Sequence, residues 1–243
     1  MEMGIDIFIK RDEFIDFHFI KDFIETKLDF TPNQLNFKTV RGKKWKEVQN
    51  LEAIFIEDTL FVTGSKSSFT FSLTNHVETF AISNGYETST GNEILLLSKY
   101  LNTEHFLVAY NYHKDFVYSQ GEENIDNLTF FGVDFTKYNV ISKDDYPYKK
   151  VDISKNPGRL KWNDKLNIDV GACWKMWFSR ELRLKFTGKP MEKFPEAYKI
   201  EMLHNDILFV QLYERVEDSE TMTALDKMHK FRDWVAMDKL MEP

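Results

Sequence analysis

The sequence predicts an α+β protein in which helices pack on an antiparallel or mixed β-sheet and an amphipathic helix lies at the C-terminal end. Three stretches support this fold class. Residues 170–187 alternate between apolar and polar side chains, as a half-buried strand does. Residues 198–203 and 207–214 flank His204-Asn205-Asp206, a short reversal typical of a hairpin. Residues 220–240 carry apolar side chains at three- and four-residue spacing, the pattern of a helix with one buried face.

The alternating stretch at residues 170–187 is long for a strand, because strands usually have about 5–6 residues. Arg180 interrupts its apolar positions, so we expect a bulge or a break at residues 179–181. Trp177 falls on the more polar side of this strand, next to Lys175. If that side is open to solvent, Trp177 is a candidate contact for a partner protein. If helices cover both faces of the sheet, Trp177 belongs to the core.

The remaining elements follow from local patterns. We predict strands at residues 5–9, 53–56, 60–63, 69–73, 77–82 and 105–112, and helices at residues 12–27 and 93–101. Residues 64–68 resemble a phosphate-binding loop but lack its full spacing, so we interpret them as a hairpin turn. The C-terminal helix is expected to be capped by Asp218 or Ser219 and to pack on the sheet. The alternative is a partly exposed helix that binds a partner.

A single α+β domain is predicted over residues 1–243. Residues 142–163 are the weakest region for regular structure, since they contain two prolines, a glycine and many charges. If the chain has two domains, their boundary falls in this loop and separates residues 1–141 from residues 164–243.

The composition limits the classes of partner. The 243 residues carry a net charge of −7 and contain one cysteine, Cys173. An acidic surface argues against binding to nucleic acid or anionic membranes, because both depend on clustered cations. The one basic cluster, at residues 38–46, is interpreted as a solvated turn. A lone cysteine is typical of a reducing compartment, and no stretch has the ~18 apolar residues that a membrane span needs. We therefore expect a cytoplasmic protein without a nucleic-acid or membrane partner.

The reactive side chains form no recognisable catalytic motif. The six histidines lack metal-binding spacing, so we predict neither a metal nor a cofactor. The best catalytic candidates are His113 and Asp115, which follow a predicted strand and in which the carboxylate can orient the imidazole. Cys173 is interpreted as structural, because no base is tied to it by the sequence. Acidic side chains at residues 122–126 and 144–145 would bind a divalent metal if the two loops met, although solvated loop charges explain them more simply.

The acidic charge, the abundant aromatic residues and the missing catalytic motif together resemble the profile of bacterial toxin-immunity proteins. This resemblance rests on the overall profile and on no defining motif. It implies a non-enzymatic protein that occludes a protein partner, for example a basic toxin. The expected contacts are Asp144, Asp145, Tyr146 and Tyr148, since carboxylates steer a basic partner and tyrosines anchor it, together with Trp177. The alternative is a hydrolase-type enzyme with a site around His113 and Asp115, which a pocket and a strongly shifted histidine pKa would favour.

Overall fold

The centre of the protein is a nine-stranded antiparallel sheet. The computed structural model describes residues 2–10, 20–22, 34–35, 59–63, 68–74, 77–85, 92–130, 132, 134, 140–141 and 150–240. Its strands, in chain order, are β1 (Glu2–Lys10), β2 (Gln34–Leu35), β3 (Thr59–Thr63), β4 (Ser68–Thr74), β5 (Val77–Gly85), β6 (Phe106–His113), β7 (Val140–Ile141), β8 (Lys150–Val151), β9 (Lys161–Asn163), β10 (Ile168–Val170), β11 (Lys175–Phe178), β12 (Lys199–Met202) and β13 (Leu208–Gln211).

Strand β1 lies near the middle of the large sheet, whose order is β12-β13-β11-β6-β1-β5-β4-β3-β2. Two small two-stranded sheets, β7–β8 and β9–β10, lie outside it. Strand β6, which precedes residues 142–163, pairs directly with strand β11, which follows them. One sheet therefore joins the two parts of the chain, an arrangement compatible with the predicted single domain at residues 1–243.

The helices described by the structure are short, apart from two. In chain order they are α1 (Asn92–Leu101), α2 (Lys114–Gly121), α3 (Ile125–Phe130), α4 (Arg180–Arg183), α5 (Met222–Val235) and α6 (Met237–Leu240). Residues 20–22 are also helical. Strands and helices share the chain, so the predicted α+β class is confirmed.

The C-terminal helix α5 packs in the core. Its side chains at Ala224, Met228, Phe231 and Val235 are buried and belong to the same apolar cluster as strands β6, β11 and β13. Thr221 caps the helix, because its hydroxyl accepts a hydrogen bond from the backbone N–H of Ala224 (3.2 Å). The observed cap therefore lies two to three residues beyond the predicted one. A left-handed residue, Ala236, separates α5 from α6.

The predicted long strand at residues 170–187 was wrong in extent. Only residues 175–178 form β11, and residues 168–170 belong to β10 in a separate small sheet. The expected break at residues 179–181 is the start of helix α4. The Ser179 hydroxyl accepts a hydrogen bond from Leu182 N–H (3.2 Å), which caps this helix. A cap of this kind supplies a partner for a free helix N–H, so the chain leaves the sheet although its alternation continues.

Other local predictions had mixed outcomes. The strands at residues 5–9, 60–63, 69–73, 77–82 and 105–112, the helix at 93–101 and the C-terminal hairpin are confirmed. Residues 114–121, for which no helix was predicted, form helix α2, and the acidic residues at 122–126 lie in the short link to α3 and at its start. The strand at residues 53–56, the turn at 64–67, the basic cluster at 38–46 and most of the helix at 12–27 lie outside the described residues.

Candidate functional site

His113 lies at the junction of strand β6 and helix α2. Its ring atom Nδ1 accepts a hydrogen bond from the backbone N–H of Phe116 (3.2 Å), so the imidazole caps the helix. Burial lowers the pKa of His113, whereas the charge of Asp115 and of two glutamates acts to raise it. Because Nδ1 is an acceptor, the neutral ring carries its proton on Nε2. The backbone N–H of Phe116 thus orients the imidazole, a role that the sequence had suggested for Asp115.

An acidic surface surrounds His113. Its carboxylates come from two segments about a hundred residues apart, with Asp115 on helix α2 and Glu217 and Glu220 on the 3-10 turn Val216–Glu220. All three are close enough to His113 for their charge to act on its pKa. Residues 113–115 and 214–220 together contain five carboxylates against two cationic side chains, Lys114 and Arg215. The fold therefore concentrates negative charge that is dispersed along the sequence. We call Asp115, Glu217 and Glu220 the acidic surface.

Helix α2 extends this surface along its outer side. Asp115 and Tyr118 are three residues apart on helix α2, which places them on one helical face, and Glu122 follows as the extended residue that caps the end of the helix. The Tyr118 hydroxyl donates to Glu122 Oε2 (2.8 Å), and burial, followed by this hydrogen bond, raises the pKa of Tyr118 to about 12. Phe116, Ser119 and Gln120 form the buried side. An exposed tyrosine next to carboxylates is the combination that the sequence suggested for residues 144–148.

A second polar cluster lies inside the sheet and was not identified from the sequence. Asp6 is buried in β1, and the Tyr112 hydroxyl donates to its Oδ2 (2.8 Å). Burial raises the pKa of Asp6 to about 7, and the nearby Asp169 adds to this effect. The Asp169 carboxyl is also mostly buried, which raises its pKa to about 6. The one sequence indication was an acidic residue between Ile5 and Ile7 in an otherwise apolar strand.

Gly4 allows the tyrosine of this cluster to approach β1. A Cβ atom at residue 4 would lie 2.6 Å from Cε2 of Tyr112, which is closer than van der Waals contact permits. The two residues face each other in the β1–β6 register. Only glycine therefore leaves room for the ring that delivers its hydroxyl to Asp6.

Cys173 is buried beside the same cluster. Its thiol lies within hydrogen-bonding distance of two carbonyl oxygens, 3.3 Å from that of Lys175 and 3.5 Å from that of Asn111. Burial raises the pKa of the thiol far above its usual range. A thiol kept protonated and away from solvent is a poor nucleophile, which fits the structural role predicted for it.

Trp177 is half-buried on the sheet face opposite the C-terminal helix. Its ring packs at a tilt on Phe209, with 5.1 Å between the centroids. Lys175 on the same face is half-buried, and burial, with a further contribution from Lys199, lowers its pKa. Trp177 is therefore neither a fully buried core residue nor a fully exposed contact, since its ring packs on Phe209 and keeps part of its surface in solvent. Ser179 and Arg183, which the predicted strand would have placed on the same side as Trp177, instead belong to the cap of helix α4 and to the helix itself.

Two cavities lie at the end of the sheet where β1 and β11 finish, and Glu181 borders both. The larger, about 660 Å³, is lined by polar groups that include His105, Arg180 and Asn205. The smaller, about 280 Å³, has Lys10, Lys165 and Lys185 among its lining residues. Neither cavity is lined by His113 or Asp115.

The predicted partner contacts Asp144, Asp145, Tyr146 and Tyr148 lie outside the described residues. Within the part of the chain that is described, no three or more His, Cys, Asp or Glu side chains are grouped as a metal site would require. Among the described helices, none has the length and apolar character needed to cross a membrane.

Comparison with known proteins gives no relative. No protein-family model, no curated protein and no solved structure matches this chain.

Proposed function

We propose that this protein is a non-enzymatic binding protein that captures a basic protein partner through the acidic surface. The observation that carries the proposal is the convergence of Asp115 with Glu217 and Glu220 around His113, from segments far apart in the sequence. Carboxylates gathered on one surface attract a cationic partner during encounter and disfavour acidic competitors. The net charge of −7 acts in the same direction at longer range.

Tyr118 supplies an anchor on the same face of helix α2 as Asp115. Tyrosine offers a large apolar ring with a polar tip and is enriched at the energetic centre of interfaces. In this protein its hydroxyl is already oriented by Glu122 (2.8 Å), so little side-chain entropy would be lost on binding. The expected contact thus comprises Asp115 and Tyr118 on helix α2, Glu122 at its C-terminal cap, and Glu217 and Glu220 of the acidic surface.

The roles of the reactive groups support binding over catalysis. His113 is engaged at Nδ1 by a backbone amide, Cys173 is sealed in the core, and Asp6 is held by the Tyr112 hydroxyl. Each group therefore has a structural contact that chemistry would have to break. The hydrolase-type alternative around His113 and Asp115 stays a prediction.

A toxin-immunity role is the specific form of this proposal. A basic toxin would match the charge of the acidic surface, and the predicted contacts Asp144, Asp145, Tyr146, Tyr148 and Trp177 would add to this binding. We also propose a cytoplasmic location, since the one cysteine is free and kept as a thiol.

Charge reversal tests this proposal. In the double variant Glu217→Lys/Glu220→Lys, capture of the cognate partner should weaken roughly ten-fold or more at low salt, because two attractive contacts become repulsive. Raising the salt concentration should reduce the difference between variant and wild type. The measurement is titration calorimetry, or surface plasmon resonance, with the captured partner.

Two matched variants complete this experiment. Glu192→Lys reverses one charge at an exposed site on the 3-10 turn Met191–Lys193, outside the acidic surface. It should leave the affinity for the partner nearly unchanged. His113→Asn keeps a capping side chain, removes the imidazole and should also leave affinity nearly unchanged. Equal affinity of the double variant and the wild type would reject the acidic surface as the contact.

A further inference from the structure

Strand β12 forms one edge of the large sheet. It pairs with β13 on one side, and no strand among the described residues pairs with its other side. Lys199, Glu201 and Met202 are exposed, and so is Tyr198 just before the strand. An edge of this kind presents unpaired backbone N–H and C=O groups, which favour pairing with another strand.

The hydrogen bonds of the neighbouring strands determine which peptide groups face outward. The backbone N–H of Leu212 donates to the carbonyl of Trp174 (3.0 Å). The backbone N–H and C=O groups of Val210, two residues earlier, therefore also point toward β11. The direction of these backbone groups alternates along an antiparallel strand. Those of Phe209 and Gln211 therefore point toward β12, where they form hydrogen bonds with the backbone of Glu201 and Lys199. The N–H and C=O of Ile200 therefore point away from the sheet.

Two contacts at the ends of the hairpin complete this pattern. Leu203 N–H donates to Ile207 O (2.8 Å), which obeys the same alternation. Tyr198 N–H donates to Leu212 O (3.3 Å) and is therefore directed inward at the start of the strand, where the regular ladder ends. Of the outward groups, those of Ile200 lie at the centre of the exposed edge.

We propose that β12 pairs with β12 of a second copy of this chain, antiparallel and centred on Ile200. In this register the two Ile200 residues exchange both of their backbone hydrogen bonds across a two-fold axis. The sheets of the two copies then become continuous through their β12 edges. This interface is separate from the acidic surface and goes beyond the proposed function.

The side chains of β12 are self-complementary about Ile200. Lys199 stands opposite Glu201 of the second copy, and Glu201 stands opposite its Lys199, so both cross-strand pairs join unlike charges. These are the non-hydrogen-bonded positions, where facing side chains are closest. Within one chain, Lys199 Nζ and Glu201 Oε2 are already 2.6 Å apart, so pairing would extend this contact into a network of four charges.

The opposite face of the edge is complementary as well. Tyr198 stands opposite Met202 of the second copy, and both are exposed in the single chain, by 54% and 48%. Sulfur and aromatic rings attract each other, and their contact would remove apolar surface from water. An unrelated strand would satisfy the backbone groups but would match these charges and apolar residues only by coincidence. The second copy is therefore the occupant that this edge fits.

The dimer is expected to be weak and to depend on protein concentration. The edge has four residues, so the buried area falls in the range of transient interfaces. Sedimentation equilibrium of the full chain, over a dilution series that reaches high concentration, should show a reversible monomer–dimer equilibrium.

Charge-swap variants test the register. Lys199→Glu places like charges in both cross-strand pairs, and Glu201→Lys does the same with opposite sign. Each variant alone should dimerise roughly ten-fold more weakly than the wild type, since two attractive pairs become repulsive. An equimolar mixture of the two should dimerise about as well as the wild type, because every facing pair is again unlike.

The mixture also separates pairing from effects on folding. Each variant loses the contact between Lys199 and Glu201 within its own chain, and mixing restores no contact of that kind. Circular dichroism verifies that both variants are folded. A wild type that stays monomeric at every concentration would overturn the proposal, as would a mixture that associates no better than its two components.

Discussion

Asp6 is a carboxyl group in the middle of the sheet, where little water is available to solvate an ionised oxygen. Burial raises its pKa from 3.8 to about 7, even though the hydrogen bond from Tyr112 acts in the opposite direction. Between pH 3.8, the ordinary pKa that applies in the unfolded chain, and about pH 7, the Asp6 carboxyl is protonated in the folded chain and ionised in the unfolded chain. The stability contributed by this proton is therefore lost as the pH rises through the folded pKa.

The substitution Asp6→Asn should remove this dependence, because an amide does not titrate and still accepts from the Tyr112 hydroxyl. As the pH rises from about 4 to about 8, the free energy of unfolding of the wild type should fall relative to that of the variant by on the order of 4 kcal/mol. Urea unfolding at a series of pH values measures the difference. Stability profiles that run parallel would show that Asp6 keeps an ordinary pKa.

His113 shows how far a single residue could be predicted. Its position at the end of a strand was correct, because the apolar alternation of residues 106–112 stops there. Its role as a helix cap was not predicted, since histidine is absent from the usual capping residues and gave no sign that a helix starts at Lys114. The acidic residues around it were each visible in the sequence. Their meeting depends on contacts between remote segments, which local patterns do not contain.

At the scale of elements, capping explains where the predictions fail. Ser179 starts helix α4 within an alternating stretch, where the sequence predicted a bulge or a break in a strand that resumed beyond it. Alternation reports which residues can be buried in a strand, whereas the cap determines whether the chain stays in one. The hairpin β12–β13 and the helix α5 were predicted well, because each has a clear period and a clear boundary.

The end of helix α5 combines several stabilising contacts with one unfavourable residue. Gly188 and Lys189 donate their backbone N–H groups to Val235 O (3.1 Å) and Trp234 O (2.7 Å), which satisfies carbonyls at the helix end. Arg232 pairs with Asp238 across the break between α5 and α6. Ala236, at the break, adopts a left-handed conformation with φ of 53°. A Cβ atom makes this conformation costly.

Ala236→Gly should therefore stabilise the protein by about 1 kcal/mol, because glycine adopts the left-handed region without this steric cost. Ala224→Gly is the matched control, with the same change inside helix α5, and should destabilise by about 1 kcal/mol or more. Denaturant unfolding midpoints of the two variants measure both effects. A loss of stability in Ala236→Gly would mean that residue 236 is not left-handed in solution.

At the scale of the whole molecule, one sheet organises the protein and presents separate surfaces. The fold brings helix α2 and residues 216–220 together into the acidic surface, while β12 forms an exposed edge at the end of the sheet. The fold class was predictable, because most of the long strands and helix α5 have a clear local period. The order of strands was not, since β1 pairs with β5 and β6 across long separations. For the same reason, the sequence suggested acidic contacts at residues 144–148 and missed those around His113.

The most direct test of the binding function is capture of a partner from the native cell by the tagged chain, with mass spectrometry of the proteins retained. We predict one stoichiometric protein with a basic surface, retained at low salt and released as the salt concentration rises. The Glu217→Lys/Glu220→Lys variant should lose that protein, whereas Glu192→Lys should keep it. Recovery of this protein alone under these conditions, or with an acidic partner retained regardless of salt, would rule out capture of a basic protein by the acidic surface.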